Sequence, residues 1–325
     1  MKFKDIIFCI FLSLSLAANA QSGKHAFNFL RLPYSAHASA LGGENISVID
    51  DDITLAIHNP ALLTNVNDKT LNLSYMSYFS GSNVGGAAFN KIFGERSTAA
   101  VFARFADYGK FDGYTEDNIF IGEFHAKDID LTFMYSYLLG ERWSGGVSAK
   151  VIYSKYGTLS AVGLGVDLGL NYFDADRDLS LSLAFKNLGG QVKAFEDENE
   201  TMPMDLQLGM TKGFTHAPIR LSLLLNNLHR WRTSDFYNAD GSKDKFGELL
   251  MKHFIIGADV ILGKNFYLSL GYNYRTGREL SASKNILNGI SLGAGLNIYK
   301  VKFNASYCRL HTAANSLLFN LSYSL

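Results

Sequence analysis

Eight histidines are spread along the 325 residues, and no two stand at a His-x-x-x-His spacing. A zinc site on a helix needs two imidazoles one turn apart, usually with a third His, Cys or carboxylate nearby, and that pattern is absent. The one Gly-x-Ser-x-Gly stretch, Gly289–Gly293, lies in an alternating strand segment and not on the sharp strand-to-helix turn of a nucleophile elbow. His253 or His311 beside an inward-pointing serine would be the remaining nucleophile–base arrangement, but ordinary polar residues are the simpler account of both. Asp50-Asp51-Asp52 offers hard oxygen ligands that calcium favours, yet a calcium loop spaces its carboxylates at alternate positions. Three consecutive acids instead suit a solvated cap ahead of the 53–63 segment. The acidic run Glu196–Glu200 reads as a solvated loop, and Cys308 as an unreactive buried thiol. No cofactor or metal site, and no catalytic residue, emerges.

The elements that would hold any such residues are strands. In Ala161–Phe173, Val162, Leu164, Val166, Leu168, Leu170 and Tyr172 fall on one face; Ala161, Gly163, Gly165, Asp167, Gly169 and Asn171 fall on the other. Successive side chains of a strand point to opposite faces, so one face is greasy and the other small and polar. A dozen residues is long for a soluble sheet and suits a tilted bilayer-spanning strand. The pattern recurs from about residue 70 to the end, over 70–79, 82–93, 97–107, 128–139, 143–156, 160–173, 179–188, 204–213, 219–228, 252–262, 265–275, 288–299, 301–310 and 316–325. None of the four prolines falls inside these segments, as an uninterrupted ladder requires.

The connections sort by length. Those at 94–96, 140–142, 174–178, 214–218, 263–264 and 300 are short, and every long one (108–127, 189–203, 229–251, 276–287) falls on the opposite side. Outer-membrane barrels have short periplasmic turns and longer outer loops. Charges inside the strands mostly take the small face: Arg104, Asp130, Lys150, Asp167, Lys186, Asp205, Arg220, Asp259, Arg275 and Lys302. Facing lipid at the midplane, a Lys or Arg would cost roughly 2–4 kcal/mol. The expected fold is therefore all-β, a transmembrane antiparallel barrel of about fourteen strands over 70–325. Ile119–Phe124 is expected to be an outer-loop excursion rather than a fifteenth strand.

Ahead of the barrel, Lys2 and Lys4, the apolar run Ile6–Leu16 and Ala18-Asn19-Ala20 have the layout of a secretory signal peptide over 1–20. Cys9 follows bulky Phe8, unlike a lipoprotein box. Residues 21–69 alternate too little for spanning strands and read as a plug or periplasmic lead-in. Net charge is zero, which gives no support to a nucleic-acid partner. Aromatics on the long loops, Tyr108, Phe111 and Tyr114, then Trp231, Phe236 and Tyr237, are candidates either for a partner surface or for an aromatic girdle.

Ser35–Gly43, which includes Ala40, Leu41, Gly42 and Gly43, together with Asp51-Asp52 and Asn59-Pro60-Ala61-Leu62-Leu63, resembles the N-terminal signature of the PorV/PorQ group. That group is a Bacteroidota branch of the FadL-like outer-membrane barrels. The lead-in Phe27–Pro33 and the short chain are more similar to the PorQ side of the group. Leu325 departs from the aromatic residue that usually ends such barrels, although Tyr323 keeps one two positions earlier. The resemblance implies a non-enzymatic part in the type IX secretion system. Members there anchor a PorZ-like surface protein in one complex with a PorU-like sortase and a PorV-like barrel. That complex attaches cargo to lipopolysaccharide in the outer membrane. The alternative within the wider family is a transport channel for hydrophobic small molecules. It predicts an apolar groove, whereas the inward faces here are rich in Gly, Ser, Asn and charge.

Overall fold

The computed structural model describes residues 25–325 apart from 80, 115–116, 118, 197–198, 215, 233–235, 237–243, 264, 282–284 and 312–313, so the expected signal sequence lies outside the described residues. Fourteen strands follow one another: β1 (Thr70–Ser77), β2 (Asn83–Phe93), β3 (Ser97–Tyr114), β4 (Phe120–Leu138), β5 (Trp143–Tyr156), β6 (Leu159–Asp174), β7 (Leu179–Lys193), β8 (Asp205–Gly213), β9 (Ile219–Leu225), β10 (Phe254–Leu262), β11 (Phe266–Asn273), β12 (Ile290–Ile298), β13 (Val301–Cys308) and β14 (Ser316–Ser324). Each pairs antiparallel with its sequence neighbours, and β1 meets β14 from Thr70↔Ser324 to Ser77↔Leu317, which closes the barrel. Closure removes the free edges that would otherwise leave backbone groups unpaired in lipid.

The two faces of every strand are unlike. On β4, Ile129, Leu131, Phe133, Tyr135 and Tyr137 are exposed, while Asp128, Asp130, Thr132, Met134 and Ser136 are buried. Exposed apolar residues on one face and buried carboxylates on the other invert the order of a water-soluble protein and match a barrel in a bilayer. Phe93, Trp143, Phe214, Tyr299 and Tyr323 are exposed around the short-turn end, where they form an interfacial aromatic belt. No described helix is long and apolar enough to cross a membrane.

Two expectations change. The stretch 108–127 is not a loose loop. β3 and β4 continue as one ladder through Lys110↔His125 and Phe111↔Phe124, with a register shift between Asp107 and Lys110, so Phe120–Phe124 belongs to β4. Arg275 is not on a strand: Asn273 Oδ1 accepts from the Thr276 N–H at 3.1 Å and starts the short helix Tyr274–Glu279. As a result the wall is uneven. β3 to β7 run 14–19 residues and β8 to β14 only 7–9. At roughly 3.3 Å per residue, β4 is about 60 Å long and β11 about 26 Å. One side of the barrel stands well above the outer rim.

The lumen is filled by the chain's own beginning. Helix α1 (Ala36–Ala40) and the 3-10 turns Ile53–Ile57 and Pro60–Asn65 pack inside the wall, and their apolar residues, apart from the half-buried Ile57, are almost fully buried. Side-chain caps start each piece. Ser35 Oγ accepts from Ala38 N–H (3.2 Å), Asp52 Oδ1 from Thr54 N–H (2.9 Å) and Asn59 Oδ1 from Ala61 N–H (3.1 Å). The glycines of the small face make the seat. A Cβ on Gly146 would lie 2.5 Å from Ala61 N and 2.6 Å from Pro60 O, and one on Gly271 would lie 2.7 Å from Ala40 O.

Candidate functional site

The signature residues converge on the contact between plug and wall. Ala40 and Leu41 end α1 against β10 to β12, and Gly42 and Gly43 turn the chain away with φ of 111° and 105°, a region suited to glycine. Gly42 O accepts from Asn273 Nδ2 at 3.2 Å. Asp51 pairs with Lys302 of β13 and accepts from Asn67 N–H at 2.7 Å. Asp52 accepts from Asn304 Nδ2 at 3.0 Å. Asn59 Nδ2 donates to Ile46 O at 2.9 Å, Pro60 occupies the first turn that Asn59 caps, and Ala61 O accepts from Ser144 Oγ at 3.0 Å. The three consecutive aspartates thus point to three different partners, Asp50 lying beside His37 at 3.6 Å. A shared cation would need them to converge.

Charge pairs complete the attachment. Glu44 meets Lys186 of β7 at 2.8 Å. His37 Nε2 lies 3.1 Å from Asp259 and stacks on Tyr267 at 4.3 Å, while Arg220 reaches Asp259 at 2.7 Å and donates to Ile49 O at 3.2 Å. Arg104 holds Asp130 at 3.0 Å and donates to Leu32 O at 3.3 Å. Burial alone would raise the Glu44 pKa, but Lys186 outweighs it and holds the carboxyl below its ordinary range. His58, buried inside the plug among Lys186, Arg104 and Lys150, is pushed down to about 3, chiefly by burial and then by Lys186.

The loop aromatics divide. Phe111 stacks on Phe124 at 5.6 Å and Tyr114 meets Phe120 at 5.7 Å; all four are exposed on the projecting β3–β4 hairpin. Trp231 is exposed and its ring lies 4.4 Å from His253. Tyr108 is half-buried: its hydroxyl donates inward to Asp128 at 2.7 Å, where Tyr156 also binds at 3.1 Å. Phe236 is buried at 7% exposure, with the cations of Lys252 and Arg275 over its ring. Tyr237 lies outside the described residues. His253 Nδ1 meets Asn226 O at 2.8 Å, and His311 stacks on Phe79 at 4.4 Å.

One feature carries no sequence signal. At the long-loop end, beyond Gly42 and Gly43, a cavity of about 180 Å³ is lined by Arg31, Glu44, Lys186, Asp205, Asn226 and Arg275. Neighbouring strand ends and the plug supply these residues from positions far apart in the chain, with no spacing to reveal them. Arg31 stays exposed at the cavity's edge; desolvation, then Arg275 and Arg230, bring it down to about 10 against the opposing pull of Asp205 and Glu44.

No family model matches the chain, and no curated protein does. Solved structures do. The Ralstonia pickettii toluene transporter TbuX shares 14% identity, covers 91% of this chain and 98% of its own, and superposes with a TM-score of 0.55. The monoaromatic hydrocarbon channel CymD gives 13%, 92%, 98% and 0.58. A Pseudomonas aeruginosa FadL homologue gives 12%, 90%, 98% and 0.53. At such identities the likeness is one of architecture. The chain has the fourteen-stranded, FadL-like outer-membrane barrel fold.

Proposed function

We propose that this barrel is a non-enzymatic anchor rather than a conduit, holding a surface subunit at the outer membrane as the PorQ side of the PorV/PorQ group does in the type IX attachment complex. The observation that carries the reading is the charge-paired plug. A hydrophobic solute crossing the lumen would have to part Glu44–Lys186, Asp51–Lys302 and the His37–Asp259–Arg220 cluster. Breaking a buried pair costs about 3–5 kcal/mol, and nothing apolar replaces what is lost. The raised β3–β7 wall, with Phe111, Tyr114, Phe120 and Phe124 exposed near its tip, supplies a surface outside the bilayer on which a PorZ-like partner can sit. A PorU-like sortase and a PorV-like barrel would complete the assembly. Complexes purified from detergent-solubilised outer membranes test the reading: recovery of those subunits supports it, and recovery of the barrel alone overturns it.

The second reading is a channel for hydrophobic small molecules, and the fold comparison taken alone favours it, because the solved neighbours are hydrocarbon transporters. A deletion strain separates the two. Loss of monoaromatic hydrocarbon uptake with cargo attachment intact selects the channel; the converse selects the anchor.

A further inference from the structure

A row of lysines crosses the outward face of the barrel where the raised wall leaves the bilayer. Phe105, Ile129, Tyr153 and Val162 are direct partners across β3 to β6 and form the last outward apolar row. Two residues further out, about 7 Å along the strands, the same faces carry Asp107, Lys127, Lys155 and Ser160, again direct partners. Lys193 of β7 reaches into this row, its Nζ donating to Ser160 Oγ at 2.6 Å. Tyr137 stands ten residues below Lys127 on β4, and Trp143 twelve below Lys155 on β5. At roughly 3.3 Å per residue and a tilt of about 40°, those spans rise about 25–30 Å. An outer-membrane apolar band is about 25 Å tall, so the lysines stand at its upper edge.

The row is not balanced by the protein. Lys155 and Lys193 are exposed, Lys127 is half-buried, and none of the three has an ion pair among the described residues. Asp107 accepts from the Gly109 N–H at 2.9 Å; counted in full against three lysines, it leaves two positive charges. One row further out, Lys110 and Glu123 pair at 2.8 Å and cancel, and Asp112 stands opposite Glu123, beyond them. Phe195 stacks on the inward Tyr156 at 5.0 Å, which turns the chain away from the row before Glu196. Lys127 and Lys155 also face each other directly, with Cβ atoms about 5 Å apart in such a pair, and like charges so placed destabilise the ladder. An anion shared between them removes that cost. Ser160 can serve it too, because its oxygen accepts from Lys193 while its own hydrogen remains to donate.

We propose that this row binds the phosphates of an outer-leaflet glycolipid whose acyl chains lie along Phe105, Ile129, Tyr153 and Val162. From Lys127 to Lys193 it covers three strand spacings, about 14 Å, which is too wide for one phosphate and suits a headgroup carrying two. A soluble phosphate would leave the apolar row beneath unused. The site involves neither the plug nor the lumen, so it stands whether the chain anchors a partner or conducts.

Native mass spectrometry of the full chain, released from detergent micelles in EDTA, tests it with diphosphoryl lipid A and phosphate-free lipid A as probes. The expected result is binding of the diphosphoryl form tighter than the phosphate-free form by tenfold or more. A lysine beside an anionic lipid surface contributes about fivefold, so the triple variant Lys127→Gln, Lys155→Gln, Lys193→Gln loses at least tenfold. Heat-dependent gel mobility shows that the variant is folded; should it fail to fold, Lys155→Gln alone, at an exposed position, reads a loss of about fivefold. Replacing Lys69, Lys91 and Lys300 by glutamine removes the same charge at the short-turn end and keeps binding within twofold. Equal binding of the two lipids, parent-like binding by the lysine-row variants, or an equal loss in the short-turn variant overturns the proposal. So does displacement of lipid A by millimolar inorganic phosphate, which would make the row a site for soluble anions.

Discussion

Gly146 and Gly145 are adjacent on β5 and face opposite ways, which makes them a matched pair for asking how closely the plug is seated. A Cβ on Gly146 would stand 2.5 Å from Ala61 N and 2.6 Å from Pro60 O, both backbone atoms of the 3-10 turn that Asn59 caps. Backbone cannot swing aside as a side-chain tip can, so the turn must retreat by about 1 Å to restore ordinary contact in so dense an interior. A Cβ on Gly145 would meet only the end of Leu139 at 3.2 Å, which a small rotation of that side chain relieves. Overpacking a filled interior costs typically 1–3 kcal/mol. Gly146→Ala should therefore lower stability by about that amount, whereas Gly145→Ala stays within about 0.5 kcal/mol, as surface changes generally do. Retreat of the turn would also strain the Ser144 and Ser136 hydrogen bonds to Ala61 O and leave a gap for ions. Urea titration followed by gel mobility reads the first effect, and conductance across a planar bilayer the second. Equal behaviour of the two alanine variants in both assays would refute the close seating of the plug.

Lys186→Met leaves Glu44 buried without its partner and should cost about 3–5 kcal/mol, while Lys186→Met combined with Glu44→Leu should recover much of that; urea midpoints of the singles and the double measure the difference. His58 has a folded-state pKa lowered to about 3 against 6.5 unfolded. Its contribution is thus fully present above pH 6.5 and is lost as the pH falls toward 3, so stability should decline over that window and His58→Phe should flatten the decline. Glu44 acts over a lower range: its folded pKa lies below 4.5, so its share is intact above that value and fades only beneath it. Replacing Phe111 and Phe124 by serine should leave heat-dependent mobility unchanged while cutting co-purification of a surface subunit severalfold, as measured by quantitative mass spectrometry of native complexes.

The wall was readable because lipid enforces a two-residue period: Leu164, Val166 and Leu168 had to alternate with Gly165 and Asp167 wherever the strand is in the bilayer. Beyond the rim that constraint ends. Lys110, Phe111 and Asp112 are all exposed, so the hairpin they begin shows no alternation and reads as loop although its ladder continues. Arg275 fitted the strand pattern by position, but the local Asn273 cap won over it. The plug was visible only as an interruption. Its pieces are five or six residues long, too short for a helical period, and their place is fixed by Gly146, Gly271, Lys186 and Lys302, which are remote in sequence. The small inward face was legible as such; that it is small to admit Pro60 and Ala40 is a three-dimensional fact. The 35–63 stretch, read as a signature, does not say that its residues meet the wall.

The β1–β14 seam sets the order in which the molecule can be assembled. Every other pairing joins sequence neighbours through a connection, whereas Thr70 and Ser324 are 254 positions apart. Loop-closure entropy places so distant a pairing late. Meanwhile the residues that must end inside the cylinder lie immediately ahead of β1 and are the first to be made. A sheet that curled shut without them would enclose Lys186 and Lys302 with no acid from the plug to meet them, and its glycine face would line a void. The last stitch and the seating of the amino-terminal segment are therefore one energetic event, and substitutions in that segment should register as failures of closure as much as of function.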